Sequence, residues 1–403
     1  MPILTHLVRV LKADFVSKPV SLSVIKVVSG LFAEERDGME CDGNHPRTAC
    51  LNSILPALVQ FFTATVAKKS ARGLDKEILR LLVLISVDID SPALSGQLSR
   101  LILHQLKSKS IFLRIDLLSS LARLLTSCSA DELGPISRDL ILLCGTIGSD
   151  LNIREKLVEC FSSLATLDDS YSKLHRVVAD FNATRKHLHY PIDFEKRLDS
   201  INAISNSKPF DFGDLCFWRC VMVNAFFLYQ NVDDLSIQTA SSRLIVSVMK
   251  EIPHNSEPYR VLVSQIILVQ IRKMLKSRKE KIRFEFVQLL SQVVTHFDDR
   301  EFCDLKCLKD DDVELDFFEN VTHLQTHRRQ RALKRAAKAI EERKIRPQTA
   351  ERFAAIDFNH IEAMVSFLFK YKNDFRLEIK CTQKTVPMAS VDFGKRRLSI
   401  AWV

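Results

Sequence analysis

Apolar residues recur every three to four positions along almost the whole chain, and strict alternation of apolar with polar residues is rare. The first spacing lines one stripe of an α-helix, whereas alternation would line one face of a strand. Amphipathic helices are therefore predicted at about 50–66, 74–87, 94–107, 111–126, 136–146, 152–166, 171–185, 194–205, 214–229, 236–250, 257–276, 281–297 and 313–344. Short polar breaks separate them, among them Asp88-Ile89-Asp90-Ser91-Pro92 and Ile252-Pro253-His254-Asn255. Asp, Asn and Ser bond to nearby backbone, and Pro lacks the amide hydrogen a helix needs, so such clusters interrupt helices. The charged stretch from Ala33 to Thr48, with Gly and Asn in it, is predicted as a longer loop.

An arginine followed by apolar residues at helical spacing returns at intervals. Arg114 precedes Leu117, Leu118 and Leu121; Arg154 precedes Leu157, Val158 and Phe161; Arg283 precedes Phe286, Val287 and Leu290. Looser copies begin at Arg197 (Ile201, Ile204) and Arg329 (Ala332, Leu333, Ala336), and the loosest at Arg243. The spacings are 40, 43, 46, 40 and 46 residues, the period of HEAT and armadillo units. One helix pair cannot bury its apolar stripe alone, so neighbouring pairs stack and share a continuous core. The predicted fold is an all-α, HEAT/armadillo-like helical-repeat solenoid, with at least five antiparallel pairs between residues 50 and 345. The expected division is 1–49 as N-terminal helices and a polar loop, 50–346 as repeats ending in an acidic-to-basic helix, and 347–403 as an atypical tail.

Composition agrees with this picture. A chain of 403 residues, 46% hydrophobic, can bury a large core, and 10 Gly with 12 Pro are few for an all-β protein of this size. Ten Cys without a disulfide-type framework, and a start (MPILTHLVRVLKADF) lacking a long apolar core, favour a reducing compartment, cytosol or nucleus. No apolar run approaches the roughly 20 residues that span a bilayer. The phosphate loop GxxxxGK, the GxGxxG turn, the GxSxG elbow and HExxH are all absent from the sequence. The paired carboxylates Asp168/Asp169 and Asp298/Asp299 fall in predicted turns, where Asp is favoured for local bonding. The reading is of a chain that is not an enzyme, with no catalytic residue, cofactor or small-molecule substrate.

Two constellations invite a binding role. Cys303-x3-Cys307, fifteen residues, then His323-x3-His327 imitates a two-Cys, two-His zinc site. The intervening LKDDDVELDFFENVT lacks the hairpin pattern of a finger and is strongly acidic, so core cysteines and helix-surface histidines are expected instead, without metal. Cys216 and Cys220, one turn apart in an apolar helix, read as core packing in the same way.

Basic clusters form the second constellation. Arg328 to Arg346 holds nine Lys or Arg against two Glu. On a helix, Arg328, Arg331, Arg335 and Lys338 share one face, while Leu333, Ala336, Ala337 and Ile340 line the other. Arg329 and Lys334 add to this ridge, and Arg272, Lys273, Lys276, Arg278 and Lys279 form another at a predicted inter-helix turn. Such ridges suit phosphate backbones. They suit equally a nuclear-import signal or a solvated face, and acids at 310–316 opening the same predicted helix would also complement its dipole.

The segment DDDVELDFFENVTHLQTHRRQRALKRAAK, Asp310 to Lys338, resembles the D-x-E-x-DFFEN…H…HRR-x-RAL-K signature of the small-subunit processome component 20 family. PIDFEKRLDSINAI, Pro191 to Ile204, resembles a segment of that family more loosely. The resemblance implies a very large HEAT-repeat nucleolar scaffold that supports pre-rRNA processing and small-subunit rRNA maturation. Its implied partners are pre-rRNA, the small nucleolar ribonucleoprotein particle and other processome proteins, with no membrane. It implies no catalytic residues, and Arg328, Arg329 and Arg331 match its signature as candidate contacts. Family members are several times longer, and the end FRLEIKCTQKTVPMASVDFGKRRLSIAWV reads neither as HEAT nor as that family, so a partial chain or alternative terminus is expected. A HEAT-type adaptor or nuclear transport receptor binding protein partners is the alternative, and a zinc-finger nucleic-acid binder is the third reading.

Overall fold

Asp side chains set where many of these helices begin. In the computed structural model, Asp150, Asp193, Asp214 and Asp234 each accept the backbone N–H three residues on, at 3.1, 3.1, 2.9 and 2.9 Å. Each supplies one of the acceptors that a helix start lacks. The structure describes residues 23–27, 74–89, 91–107, 114–185, 191–277, 279–297, 303–346, 349, 391–393 and 396–398. The helix expected at 50–66 and the loop at 33–48 lie outside them.

Two compact units divide the chain, Met1–Gln270 and Ile271–Val403. The first contains α1 (Leu74–Ile85), α2 (Pro92–Leu106), α3 (Arg114–Leu125), α4 (Ala130–Cys144), α5 (Leu151–Leu167), α6 (Ser172–Phe181), α7 (Phe194–Asn206), α8 (Leu215–Asn231) and α9 (Leu235–Glu251). A π-helical stretch, Tyr259–Ile267, then runs into α10 (Leu268–Met274), where the boundary falls. Most of these bounds follow the predicted segments, because period and break residues both mark them, but α4 begins at Ala130, six residues before its predicted start, with Pro135 inside it.

Several helices in the first unit touch both a sequence neighbour and a helix two places away. α3 packs on α1, α2 and α5, and α4 packs on α2, α5 and α8. This is the contact pattern of stacked helical repeats, in which each pair completes the core of the next. Leu117, Leu118, Leu121, Leu157 and Phe161 are fully buried, as the arginine-led pattern predicts. The alternation is interrupted once: α6 and α7 follow each other along one side, and α8 returns to α4. Surrounded by α4, α6, α9 and the π-helical stretch, α8 is buried continuously from Cys220 to Tyr229. An all-round apolar helix is what such a position demands.

The recurrent arginines have a common structural task. Arg154, Arg197, Arg283 and Arg329 each stand fourth in their helix, where a long side chain leans back over the first turn. There each donates to a carbonyl at or just past the end of the preceding helix. Arg154 reaches Cys144 O (2.6 Å), Arg197 reaches Ala183 O (3.1 Å), Arg283 reaches Ser277 O (2.8 Å) and Arg329 reaches His323 O (2.9 Å). A cation at a helix carboxyl end satisfies orphan carbonyls and complements the dipole. Arg114, first in α3, works in the forward direction, donating to Ile147 O beyond α4 at 2.8 Å. Arg243 is a correction to the repeat phase. It stands ninth in α9, more than a turn too far along to reach back, and it is exposed.

Arg154 is the most deeply placed of the set. Besides Cys144 O it donates to Asn182 Oδ1 (2.7 Å) and Asn224 Oδ1 (3.4 Å), and its guanidinium lies 3.7 Å from the Phe227 ring centroid. Both amides are aimed by their own helices: Asn182 Nδ2 donates to Val178 O and Asn224 Nδ2 to Cys220 O. Burial pulls the Arg154 pKa down to about 10, which leaves it charged at neutral pH.

The second unit contains α11 (Glu280–His296), a 3₁₀ turn (Cys303–Leu308), α12 (Phe317–Val321) and α13 (Thr326–Glu341). Phe286, Val287, Leu290 and Val294 of α11 are buried, as are Leu305, Leu308, Phe317, Phe318 and Ala332 of the elements after it. α11 packs on α12 and on the 3₁₀ turn, and Gln288 Nε2 donates to Phe318 O at 3.1 Å. A short antiparallel hairpin, β1 (Val391–Phe393) with β2 (Arg396–Leu398), is the only strand pair among the described residues. The fold is all-α helical repeat apart from this hairpin.

The predicted single helix at 313–344 needs correction. Asp312 N–H bonds Asp310 Oδ1, Glu314 N–H bonds Asp312 Oδ1, and Asp310 N–H bonds Asp316 Oδ2. These side chains capture backbone donors that a helix would use, so 310–316 is a turn-rich strip. The chain then forms α12, breaks at 322–325 and restarts as α13.

Removing the Arg154 side chain leaves three buried acceptors without their donor. Arg154→Ala is expected to lower stability by about 3–5 kcal/mol. Arg154→Lys, with one nitrogen for three acceptors, should recover only part of it, and Arg243→Ala should stay within about 0.5 kcal/mol. Denaturant midpoints of the three variants are the measurement.

Candidate nucleic-acid interface on a basic helix

The acidic strip lies against the basic helix, and the two are held by side chains rather than by a shared dipole. Asp310 pairs with Arg335 at 2.9 Å. Glu314 reaches Arg328 at 3.4 Å and Arg331 at 3.7 Å. Arg335 also donates to the carbonyl of Leu315 and, at 3.5 Å, to that of Cys307. Beneath the strip, buried Asp316 pairs with Lys309 at 2.9 Å, and Lys309 donates to Ser291 Oγ of α11. The Asp310 carboxyl is held below the usual carboxylate range, first by the Asp312 backbone N–H and then by Arg335.

The basic candidates therefore separate into kinds. Arg329 bonds the carbonyls of His323 and Leu324, and Arg335 those of Leu315 and Cys307, so both tie backbone together. Arg328, 18% exposed, meets His323 Nε2 at 3.0 Å as well as Glu314. Arg331, Lys334 and Lys338 are exposed, Lys338 touching Glu342 only at 3.8 Å. The packed positions of α13 are Ala332 and Ala339; the expected inner residues Leu333, Ala336, Ala337 and Ile340 are half-buried. In the other cluster, Lys273, Lys276 and Lys279 are exposed and Arg272 is half-buried, while Arg278 lies outside the described residues.

The zinc-like constellation does not fold as expected of core cysteines. Cys303 and Cys307 are exposed, and Cys307 Sγ lies 3.0 Å from Asp304 O. His323 sits in the break before α13, its Nδ1 accepting from the Gln325 N–H at 3.1 Å, while His327 is on the helix. The two histidines thus do not share a helical face. Among the described residues no three His, Cys, Asp or Glu side chains gather as a metal site would require. Cys220 is fully buried and Cys216 partly so, in keeping with core packing.

Sequence reasoning missed the contact of Glu314 and Asp310 with α13. The run Asp310–Asp316 with Asp at alternate positions carried a signal for turns, and a turn there is what lets the chain fold back on itself. Among the described residues no helix is long and apolar enough to cross a membrane.

Stacked helical pairs in the first unit and a cationic helix in the second define a helical-repeat protein. The family described as U3 small nucleolar RNA-associated protein 20, N-terminal, matches residues 1–279, and the chain belongs to that family. The match lies upstream of the 310–338 segment that carried the resemblance. U3 small nucleolar RNA-associated protein 20 of Schizosaccharomyces pombe is 30% identical over 265 residues, covering 62% of this chain and 10% of its own length. The protein of the same description from Saccharomyces cerevisiae is 27% identical over 220 residues, covering 52% of this chain and 9% of its own. The chain thus spans about a tenth of the length of these curated relatives.

Two measurements follow from the site. Arg335→Ala should cost about 1–2 kcal/mol through its lost carbonyl bonds and speed protease cleavage within 307–316, whereas Lys334→Ala should do neither. Thiol labelling mapped by mass spectrometry should modify Cys303 and Cys307 in the folded chain. Cys144, pushed up to about 11 by burial, and Cys160 and Cys220, raised for the same reason, should react only on unfolding.

Proposed function

We propose that this chain is a non-catalytic scaffold segment in ribosome biogenesis, acting within the small-subunit processome to support pre-rRNA processing and small-subunit rRNA maturation. The observation that carries the reading is the family match over residues 1–279, together with two relatives named as U3 small nucleolar RNA-associated. Its partners on this reading are pre-rRNA, the small nucleolar ribonucleoprotein particle and other processome proteins, and its place is the nucleus and nucleolus. The described helical repeats present the surfaces, and the exposed cations of α13 and of the Lys273–Lys279 turn contact phosphate. A long helical array suits this work, because stacked repeats offer area for many weak contacts and need no enclosed pocket. Phosphate contacts add affinity without reading sequence, so positioning falls to the scaffold.

The test is affinity purification of the tagged chain from nuclear extract, with U3 and pre-rRNA quantified across a salt series. The unmutated chain should enrich both. Reversing Lys334, Lys338, Lys273 and Lys276 in turn should weaken retention by increments, each lost phosphate contact flattening the salt slope by about 0.7. Enrichment of neither RNA by the unmutated chain would overturn the reading.

A further inference from the structure

Glu314 occupies an unusual position for a surface acid. It is 66% exposed, yet one of its carboxylate oxygens faces Arg328 and the other faces Arg331, three residues apart on α13. Two guanidiniums converging on one exposed anion make a fork that fits the oxygens of a phosphate. The present occupant holds it loosely, at 3.4 and 3.7 Å, and exposed ion pairs of this kind contribute little. The rest of the strip does not depend on Glu314. Asp316 is buried on Lys309, and Asp310 is held by Arg335, which also grips two carbonyls. The strip is thus anchored at both ends with a displaceable carboxylate between them. Exposed Lys334 and Lys338 continue the positive surface along the same helix.

We propose that Arg328 and Arg331 form a phosphate seat for single-stranded RNA, which Glu314 fills from within and yields when RNA binds. This deepens the proposed function and rests on it for the identity of the polyanion. Glu314 acts as an internal competitor: a weakly or transiently presented phosphate does not displace it, whereas a strand also held by Lys334 and Lys338 does. Binding to this helix therefore favours extended RNA over isolated anions, and the exchange involves no change in the anchored ends of the strip.

The experiment measures binding of the full chain to a fluorescent oligouridine over a salt series. Glu314→Gln removes the competitor while keeping the side chain's size, and should tighten binding about three-fold at low salt, the scale of two weak surface pairs. Because the same phosphate contacts form once Glu314 has yielded, the salt dependence should change by less than the roughly 0.7 of one contact. Adding Arg331→Gln to that variant should abolish the gain. Glu257→Gln is the control for net charge, since Glu257 is 64% exposed and meets Arg260 at 3.8 Å in the other unit. An equal gain from Glu257→Gln overturns the proposal, as does no gain from Glu314→Gln in a folded protein, or no oligouridine binding by either. A gain seen with a phosphopeptide but not with oligouridine overturns the assignment to RNA. The outcome is separable from the parent reading. Loss of U3 and pre-rRNA enrichment would remove the ribosomal role and leave the seat, whereas enrichment with no Glu314 effect would do the reverse.

Discussion

The join between one helix and the next is the constraint on which this structure rests. Every helix ends with carbonyls that lack intrahelical donors, and in a stacked array those ends are covered by neighbours and cut off from water. Arg154 meets the need at the deepest join, bonding the last carbonyl of α4 from the first turn of α5 and two side-chain amides from α6 and α8. A buried cation without a carboxylate is expensive to desolvate, and its lowered pKa records that expense. Three aligned acceptors and the face of Phe227 offset it. Because those acceptors come from three different helices, their mutual positions are fixed together. Arg197 repeats the arrangement at the α6–α7 join with a pKa also drawn down to about 10 by burial.

In the second unit the same residue type serves three ends. Arg283 and Arg329 stand fourth in their helices and cap the turn before them, just as Arg154 does. Arg335 holds a loop by its carbonyls, and Arg331 faces solvent opposite Glu314. A guanidinium can be structural or available depending on whether its donors are satisfied by fixed carbonyls or by a mobile carboxylate. The six Lys and Arg of α13 therefore overstate what it presents to an anion, since part of that charge is already answered by Asp310 and Glu314. What stays exposed is the strip of Arg331, Lys334 and Lys338.

The family match covers the earlier part of the arginine period and leaves Arg283 and Arg329 beyond it. The matched span, 1–279, contains the Arg114, Arg154 and Arg197 joins and the continuous burial of α8. Buried Arg154 bonds both Asn182 and Asn224 within it. Their chemistry is spent on architecture. Exposed cations lie instead on the Lys273–Lys279 turn and on α13.

Helix type, most helix bounds and the repeat were legible in the sequence, because they depend on local periodicity and on Asp and Pro at the breaks. Leu117, Leu157 and Phe286 were identifiable as core for the same reason: a stripe that recurs every 40 to 46 residues must face its own copies. The arginine period was visible too, but not its cause, since the carbonyls it serves belong to another helix. Arg243 shows the limit. It matched the period but stands five positions further into its helix than its counterparts, and only that placement excludes it from a join. The basic helix was equally visible, whereas the return of Asp310 and Glu314 onto it was not. Asx-type bonds at Asp310, Asp312 and Asp316 break a pattern that reads as one long helix, and the reversal brings opposite charges together across a turn. Sequence determines which side chains can line a stripe or break it; which charges meet is decided by where the turns send the chain, and that is a property of the tertiary structure alone.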